Sequence, residues 1–258
     1  MWSWPKTWIH PLRKAGILPV PSQGRSLPFS SSSLTPAMYS SSGPRPLPLS
    51  YKLLEGQSTQ PPLIFLHGLF GSKIIFETEA KALAERTGRK VLTVDIRNHR
   101  ESPSSSDCSY EAMSKDLEVL LLKLGLTPCV LIGHCMGGKI AMVLALQKNP
   151  TNRQYMINNL MLINGQYVWK VNSEALSQQM DKIMDFPQIQ GSYSGPTLFL
   201  KGAKSPYIEP SHYPEIKRLF PQAQILTIQE AGHCIHVHQP QDFLNSIQNF
   251  LSYTRNTQ

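Results

Sequence analysis

A thiol and an imidazole are the first residues that could do chemistry together. Cys135 stands in Gly133-His134-Cys135-Met136-Gly137, between the apolar run Cys129-Val130-Leu131-Ile132 and the Ala/Leu-rich stretch Ile140 to Gln147. Strand, Gly-x-Cys-x-Gly turn and helix, in that order, make a nucleophile elbow whose strain turns the central side chain out of the sheet. Glycine on either side lets strand and helix approach closely. The backbone N–H of Met136, at the positive end of the following helix, is aimed at a developing oxyanion. His233, in Ala231-Gly232-His233, is positioned to take the thiol proton and later return one to a leaving group. The same five residues also describe a buried, inert cysteine in a plain strand-to-helix turn. The surrounding chain has to decide between the two.

A second stretch bears on that decision. Pro62 to Leu66 is wholly apolar and runs into His67-Gly68-Leu69-Phe70-Gly71-Ser72. A His-Gly pair just after a buried strand supplies the other oxyanion donor, a backbone N–H near Leu69. The third member of a triad is less defined. The loop after the apolar run Thr197 to Leu200 reads Gly202-Ala203-Lys204-Ser205-Pro206 and holds no carboxylate. Between elbow and His233, the acid candidates are Glu174, Asp181, Asp185, Glu209, Glu215 and Glu230. His233, Cys234, His236 and His238 are metal-ligand types, but their spacing matches no standard site, so neither metal nor cofactor is expected. His99, His134 and His212 read as structural or solvent-exposed.

These residues need a scaffold, and the hydrophobic pattern provides one. Strands are expected at Leu49 to Leu54 (an alternating edge strand), Pro62 to Leu66, Lys90 to Asp95, Cys129 to Ile132, Pro196 to Gly202 and Ala223 to Ile228. Helices are expected at Phe76 to Thr87, Tyr110 to Leu124, from about Gly137 to Gln147, Glu174 to Met184, Ile216 to Phe220 and Pro240 to Leu251. Alternating strands and helices predict an α/β fold with a mostly parallel, doubly wound sheet and right-handed crossovers. Past Pro150 the regularity fails. Leu160 to Ile163 is a candidate strand, followed by a hairpin turn at Asn164-Gly165.

Charge divides the chain unevenly. The formal net charge is +8, from 25 basic and 17 acidic residues. Residues 1–54 contain Lys6, Arg13, Lys14, Arg25, Arg45 and Lys52 but no acid, so the rest is close to neutral. A nucleic-acid partner is therefore not expected. Residues 1–44, basic and rich in Ser and Pro, read as a mitochondrial transit peptide, with residues 45–258 as the folded domain. No apolar run is long enough to span a membrane. Four cysteines without a C-x-x-C pair suit a reduced compartment.

Taken together, several stretches resemble the α/β-hydrolases of the abhydrolase domain-containing protein 11 family. They are Pro46 to Leu53, His67 to Lys73, Arg97-Asn98-His99, Gly133 to Lys139 and Ala231 to His233. The resemblance implies a mitochondrial-matrix enzyme of α/β-hydrolase fold that cleaves lipid esters such as diacylglycerol. It also implies a role in support of lipoylated 2-oxoacid dehydrogenase complexes. The family's nucleophile and base fall on Cys135 and His233. Its acid falls on Glu174, within Val171-Asn172-Ser173-Glu174. Three departures stand out. Cysteine replaces the family serine at 135. Arg100 occupies the glycine position of the Asn-His-Gly-Asp/Glu-Ser loop. Relatives carry a further core strand and part of a helical cap between Pro150 and the next residues, so the cap region, 150–195, is abbreviated here. Leu160 to Ile163 is a candidate to refill that strand position. The departures leave a second expectation open, a catalytically impaired hydrolase fold that binds an acyl ligand or a protein partner.

Overall fold

The computed structural model describes residues 45–147, 155–159 and 173–256. The expected leader therefore lies outside the described residues, as do Leu160 to Ile163 and the Asn164-Gly165 turn. Among the described residues, seven strands form one sheet in the order β1-β3-β2-β4-β5-β6-β7. They are β1 (Tyr51–Leu54), β2 (Leu63–Leu66), β3 (Val91–Val94), β4 (Val130–His134), β5 (Tyr155–Asn159), β6 (Thr197–Gly202) and β7 (Ala223–Ile228). Edge strand β1 runs antiparallel to β3, and the other pairings are parallel. The doubly wound α/β expectation holds.

Strand alternation feeds two cores. Leu63, Phe65, Val130 and Ile132 point to one face, where α1 (Glu77–Thr87) and the C-terminal helix cover them. Ile64, Leu66 and Leu131 point to the other, under α2 (Tyr110–Leu124) and α3 (Met136–Gln147). Both α1 and α2 end where the sequence stops them, at Gly88 and Gly125, each in the left-handed conformation. The C-terminal helix, α8 (Pro240–Asn256), buries Phe243, Leu244, Ile247, Phe250 and Leu251. At about 1.5–3 kcal/mol for each buried large apolar side chain, that face alone clamps the helix to the sheet.

The slot between β4 and β6 is filled differently from expectation. It holds β5, with Tyr155 opposite Val130 and Asn159 opposite His134. Met156 to Asn158 pair in turn with Thr197 to Phe199. A parallel partner must begin at the N-terminal edge of β4. The chain leaving Gln147 reaches that edge by Tyr155, before the more apolar run at Leu160. The expected single helix from Glu174 to Met184 is two short pieces, α4 (Ser173–Gln178) and α5 (Met180–Met184). The helix expected at Ile216 begins earlier, as α6 (Tyr213–Leu219), with proline in its first turn. One further turn, α7 (Ile235–His238), follows the His233 loop.

A buried ion pair anchors the start of the domain. Arg97, 1% exposed, binds Asp116 with two charge-assisted bonds of 2.6 and 2.7 Å. The same carboxylate accepts the Leu47 N–H at 2.6 Å, and Arg97 also reaches the carbonyl of Arg45. The basic segment thus joins the fold from residue 45 onward.

Candidate active site

The elbow is strained as its sequence requires. Cys135 has φ +53°, a left-handed conformation that costs a non-glycine residue about 1–3 kcal/mol and persists only where the surroundings impose it. They do impose it. A Cβ on Gly137 would lie 2.2 Å from the Leu66 carbonyl oxygen, and one on Gly133 would lie 2.4 Å from that of Gly137. Strand β2, strand β4 and helix α3 therefore meet backbone to backbone beneath the thiol. Cys135 is half-buried, and Met136, the first residue of α3, is fully buried. The Met136 N–H belongs to the first helical turn, whose donors the helix itself leaves open.

Two histidines knit the expected oxyanion turn to the loop after β3. The Nδ1 of His67 lies 2.7 Å from the Gly68 carbonyl, and its Nε2 accepts the Ile96 N–H at 3.0 Å. His99 Nδ1 lies 2.8 Å from the Arg97 carbonyl, and its Nε2 accepts the Phe70 N–H at 3.2 Å. These partners assign each ring as neutral, with the proton on Nδ1. Burial pushes both imidazoles below their ordinary value. His99 thus holds the Phe70 N–H, next to the expected oxyanion donor at Leu69. Gly68 closes the gap: a Cβ there would lie 2.9 Å from both Cys135 Cβ and His134 Nδ1.

His233 sits 9% exposed in the loop between β7 and α7. Hydrogen bonds hold that loop against the loop after β6: Ala203 N–H to the Ile228 carbonyl and Lys204 N–H to the Ala231 carbonyl. The tie brings the Tyr207 ring over His233, with centroids 4.0 Å apart and planes tilted by 37°. On another side, the His134 ring lies 5.7 Å from His233. Burial, then the nearby Cys135 sulfur, raises the Tyr207 hydroxyl above its ordinary value.

The acid candidates spread out. Glu174 lies in the first turn of α4, and its side chain is outside the described residues, as is that of Asp181. Glu215 pairs with Arg218 at 2.7 Å and Glu230 with Lys204 at 2.5 Å, both toward solvent. Asp185 accepts the Phe186 N–H. The Glu209 N–H donates to the imidazole of His212. Among the described residues, no group of three metal-ligating side chains comes together.

A buried lysine holds the end of α5. Lys139, on α3, donates to the carbonyls of Ile183, Met184 and Asp185 at 3.1, 3.0 and 2.9 Å. Those carbonyls end α5, so a side chain of the elbow helix caps the helix above it. Tyr110 adds its hydroxyl to the Ile183 carbonyl at 2.6 Å, with the ammonium 5.6 Å from its ring centroid. Burial lowers the Lys139 ammonium to about 8, against the opposing pull of Cys135 and Asp185.

A family model described as the alpha/beta hydrolase fold matches residues 61–186. The sn-1-specific diacylglycerol lipase ABHD11 of Mus musculus is 43% identical over 310 residues, covering 98% of this chain and all of that protein. The chain belongs to the α/β-hydrolase family. Within that family, its counterpart from Xenopus tropicalis is 41% identical, over 80% of this chain and 83% of the relative. A solved structure titled marine microorganism esterase superposes with a TM-score of 0.71 at 27% identity, over 79% of this chain and 99% of that one. The mouse alignment is longer than this α/β-hydrolase itself, 310 positions against 258 residues.

Sequence reasoning passed over four side chains around Cys135. Lys139 follows Cys135 by one helical turn, a spacing that signals a shared face. His134 ends β4 beside the nucleophile, also a readable signal. Tyr110 and Tyr207 gave none, since only the tertiary fold brings α2 and the loop after β6 to the elbow.

Proposed function

We propose that this α/β-hydrolase cleaves lipid carboxylic esters of the diacylglycerol type through a thiol nucleophile. The observation that carries the proposal is Cys135 at φ +53° on the elbow, beside the oxyanion turn at Gly68. The mouse and frog relatives are named diacylglycerol lipases, which supports the substrate class. Apolar Leu69 and Phe70, packed with Cys135 against the core, suit an acyl chain.

The chemistry follows from these groups. Cys135 Sγ attacks the ester carbonyl carbon while its proton passes to His233. The carbonyl oxygen becomes an oxyanion held by the N–H groups of Leu69 and Met136. As the tetrahedral species collapses, the C–O bond breaks and His233 returns the proton to the departing alcohol. Water then adds to the thioester with His233 as base, and the carboxylic acid leaves as the Cys135 thiol reforms. Glu174, the family's acid position, is assigned the orienting role by resemblance. The resemblance also supports a matrix location, through the acid-free leader, and a role alongside lipoylated 2-oxoacid dehydrogenase complexes. Import of the full chain into isolated mitochondria, with loss of the leader, tests the address. Retention outside the matrix rejects it.

Purified protein should hydrolyse a fluorogenic diacylglycerol analogue, and Cys135→Ala should lose turnover by at least about 10³-fold. Cys135→Ser distinguishes scaffold from nucleophile. Activity in the serine variant alone means that the thiol limits an intact site. If both parent and serine variant are inactive, the hydrolase reading fails in favour of acyl or partner binding.

A further inference from the structure

A buried row of imidazoles lies behind the nucleophile, and its middle member has no assigned work. His134 is 1% exposed, and neither ring nitrogen has a hydrogen-bond partner among the described residues. Leaving a buried polar group unsatisfied is costly, and such a group in a folded protein calls for an explanation. Its surroundings supply one. The ring lies 5.7 Å from His233, 5.3 Å from His236 and 6.2 Å from Phe76. Its Nδ1 side faces Gly68, which also touches Cys135.

We propose that His134 is the positioning residue for His233, so that Cys135, His233 and His134 act as a thiol–imidazole–imidazole series. The proposal rests on the hydrolase reading above and gives the orienting of the base to His134 in place of Glu174. Tyr207 covers one side of the His233 ring and fixes its plane, while His134 meets the ring elsewhere at a tilt of 57°. The proposal places a hydrogen bond between nitrogens of these two rings. His134 is suited to accept. Burial first, then His236, His233 and His67, hold it well below the ordinary histidine range, so it stays neutral with one bare nitrogen. Accepting the Nδ1–H of His233 selects the tautomer whose Nε2 faces Sγ. When Sγ gives up its proton, His233 carries it on Nε2, and His134 keeps its own protonation throughout. The proton then leaves on the alcohol oxygen. A neutral partner is sufficient for a thiol, whose ionisation demands less than that of a serine hydroxyl. Cys–His–Asn sites show that an uncharged orienter can serve there.

His236 offers an internal control. It is also buried, at 2%, with neither nitrogen hydrogen-bonded among the described residues, and it packs on Phe76 and Phe243. The test uses the full chain carrying His134→Phe, His134→Gln or His236→Phe. Three readouts apply: iodoacetamide alkylation of Cys135 at pH 7 followed by peptide mass, the ¹⁵N-histidine tautomer signature of His233, and the thermal midpoint. His134→Phe is expected to slow alkylation on the order of tenfold and to mix the His233 tautomers, with the midpoint held or raised. His134→Gln, which keeps an acceptor, recovers most of the rate, and His236→Phe changes neither rate nor tautomer. Parent-like alkylation and tautomer in His134→Phe overturn the proposal. So does an equal loss in His236→Phe. Alkylation and tautomer do not depend on turnover, so a failed ester assay with these responses intact rejects the hydrolase reading alone.

Discussion

At the scale of single residues, the loop after β3 carries a conflict between sequence and backbone. Arg100 has φ +47° and an exposed side chain whose nearest acid, Glu101, is 4.0 Å away. Its neighbours are tightly held. Ser102 donates to the Asp95 carbonyl at 2.6 Å, and Lys73 binds both Asp95 and Glu101. The loop cannot relax around the arginine, so the strain stays. Arg100→Gly is expected to raise stability by about 1 kcal/mol, the relief of left-handed strain less the added freedom of the unfolded chain. Urea unfolding at pH 7.5 measures it, and a destabilised glycine variant would mean that the arginine makes a compensating contact. The reverse change belongs at the elbow. In Gly137→Ala the new methyl meets the backbone at the end of β2, Leu66 and His67, which cannot move without parting β2 from α3. A loss of at least about 2 kcal/mol is expected, together with loss of Cys135 alkylation.

Helices and strands were legible where one local rule governed them. Glycine after an amphipathic stripe stopped α1 and α2 at the expected residue, and short apolar runs located β2, β4, β6 and β7. The slot beside β4 was not legible. Its occupant is chosen by where the chain can re-enter the sheet, a property of the whole fold rather than of apolar content. The roof was opaque for the same reason: α5 is held by Lys139, distant in sequence. That support is testable through pH. The Lys139 ammonium sits at about 8 when folded and at its ordinary 10.5 when unfolded, so the unfolded chain binds more protons between those values. The contribution of Lys139 to stability therefore rises as pH climbs from 8 to 10.5, by up to on the order of 3 kcal/mol. Against Lys139→Met, the parent should gain in relative urea midpoint between pH 7.5 and 10. A constant gap would mean that the ammonium is solvated rather than buried under α5.

For the molecule as a whole, buried histidine is the group that sets acid tolerance. His67, His99, His134 and His236 are all buried, and burial lowers each of them. Each is neutral when folded and gains a proton more easily when unfolded. Their contribution to stability is therefore full above pH 6.5 and is lost as pH falls toward the folded values. His236, lowered to about 4, alone withdraws on the order of 3 kcal/mol by pH 4. Four such groups around the elbow are expected to make the site region the first to fail in acid. Thermal midpoints should hold between pH 8 and 7 and fall steadily from pH 6.5 to 4.5, before most carboxylates titrate. His236→Phe should flatten part of that slope while leaving the midpoint at pH 7.5 equal or higher, since an unpartnered polar ring is exchanged for an apolar one beside Phe76 and Phe243. A parent midpoint unchanged down to pH 5 would mean that these rings reach solvent, and with it the dry, pre-organised setting that the nucleophile and its base require would be lost.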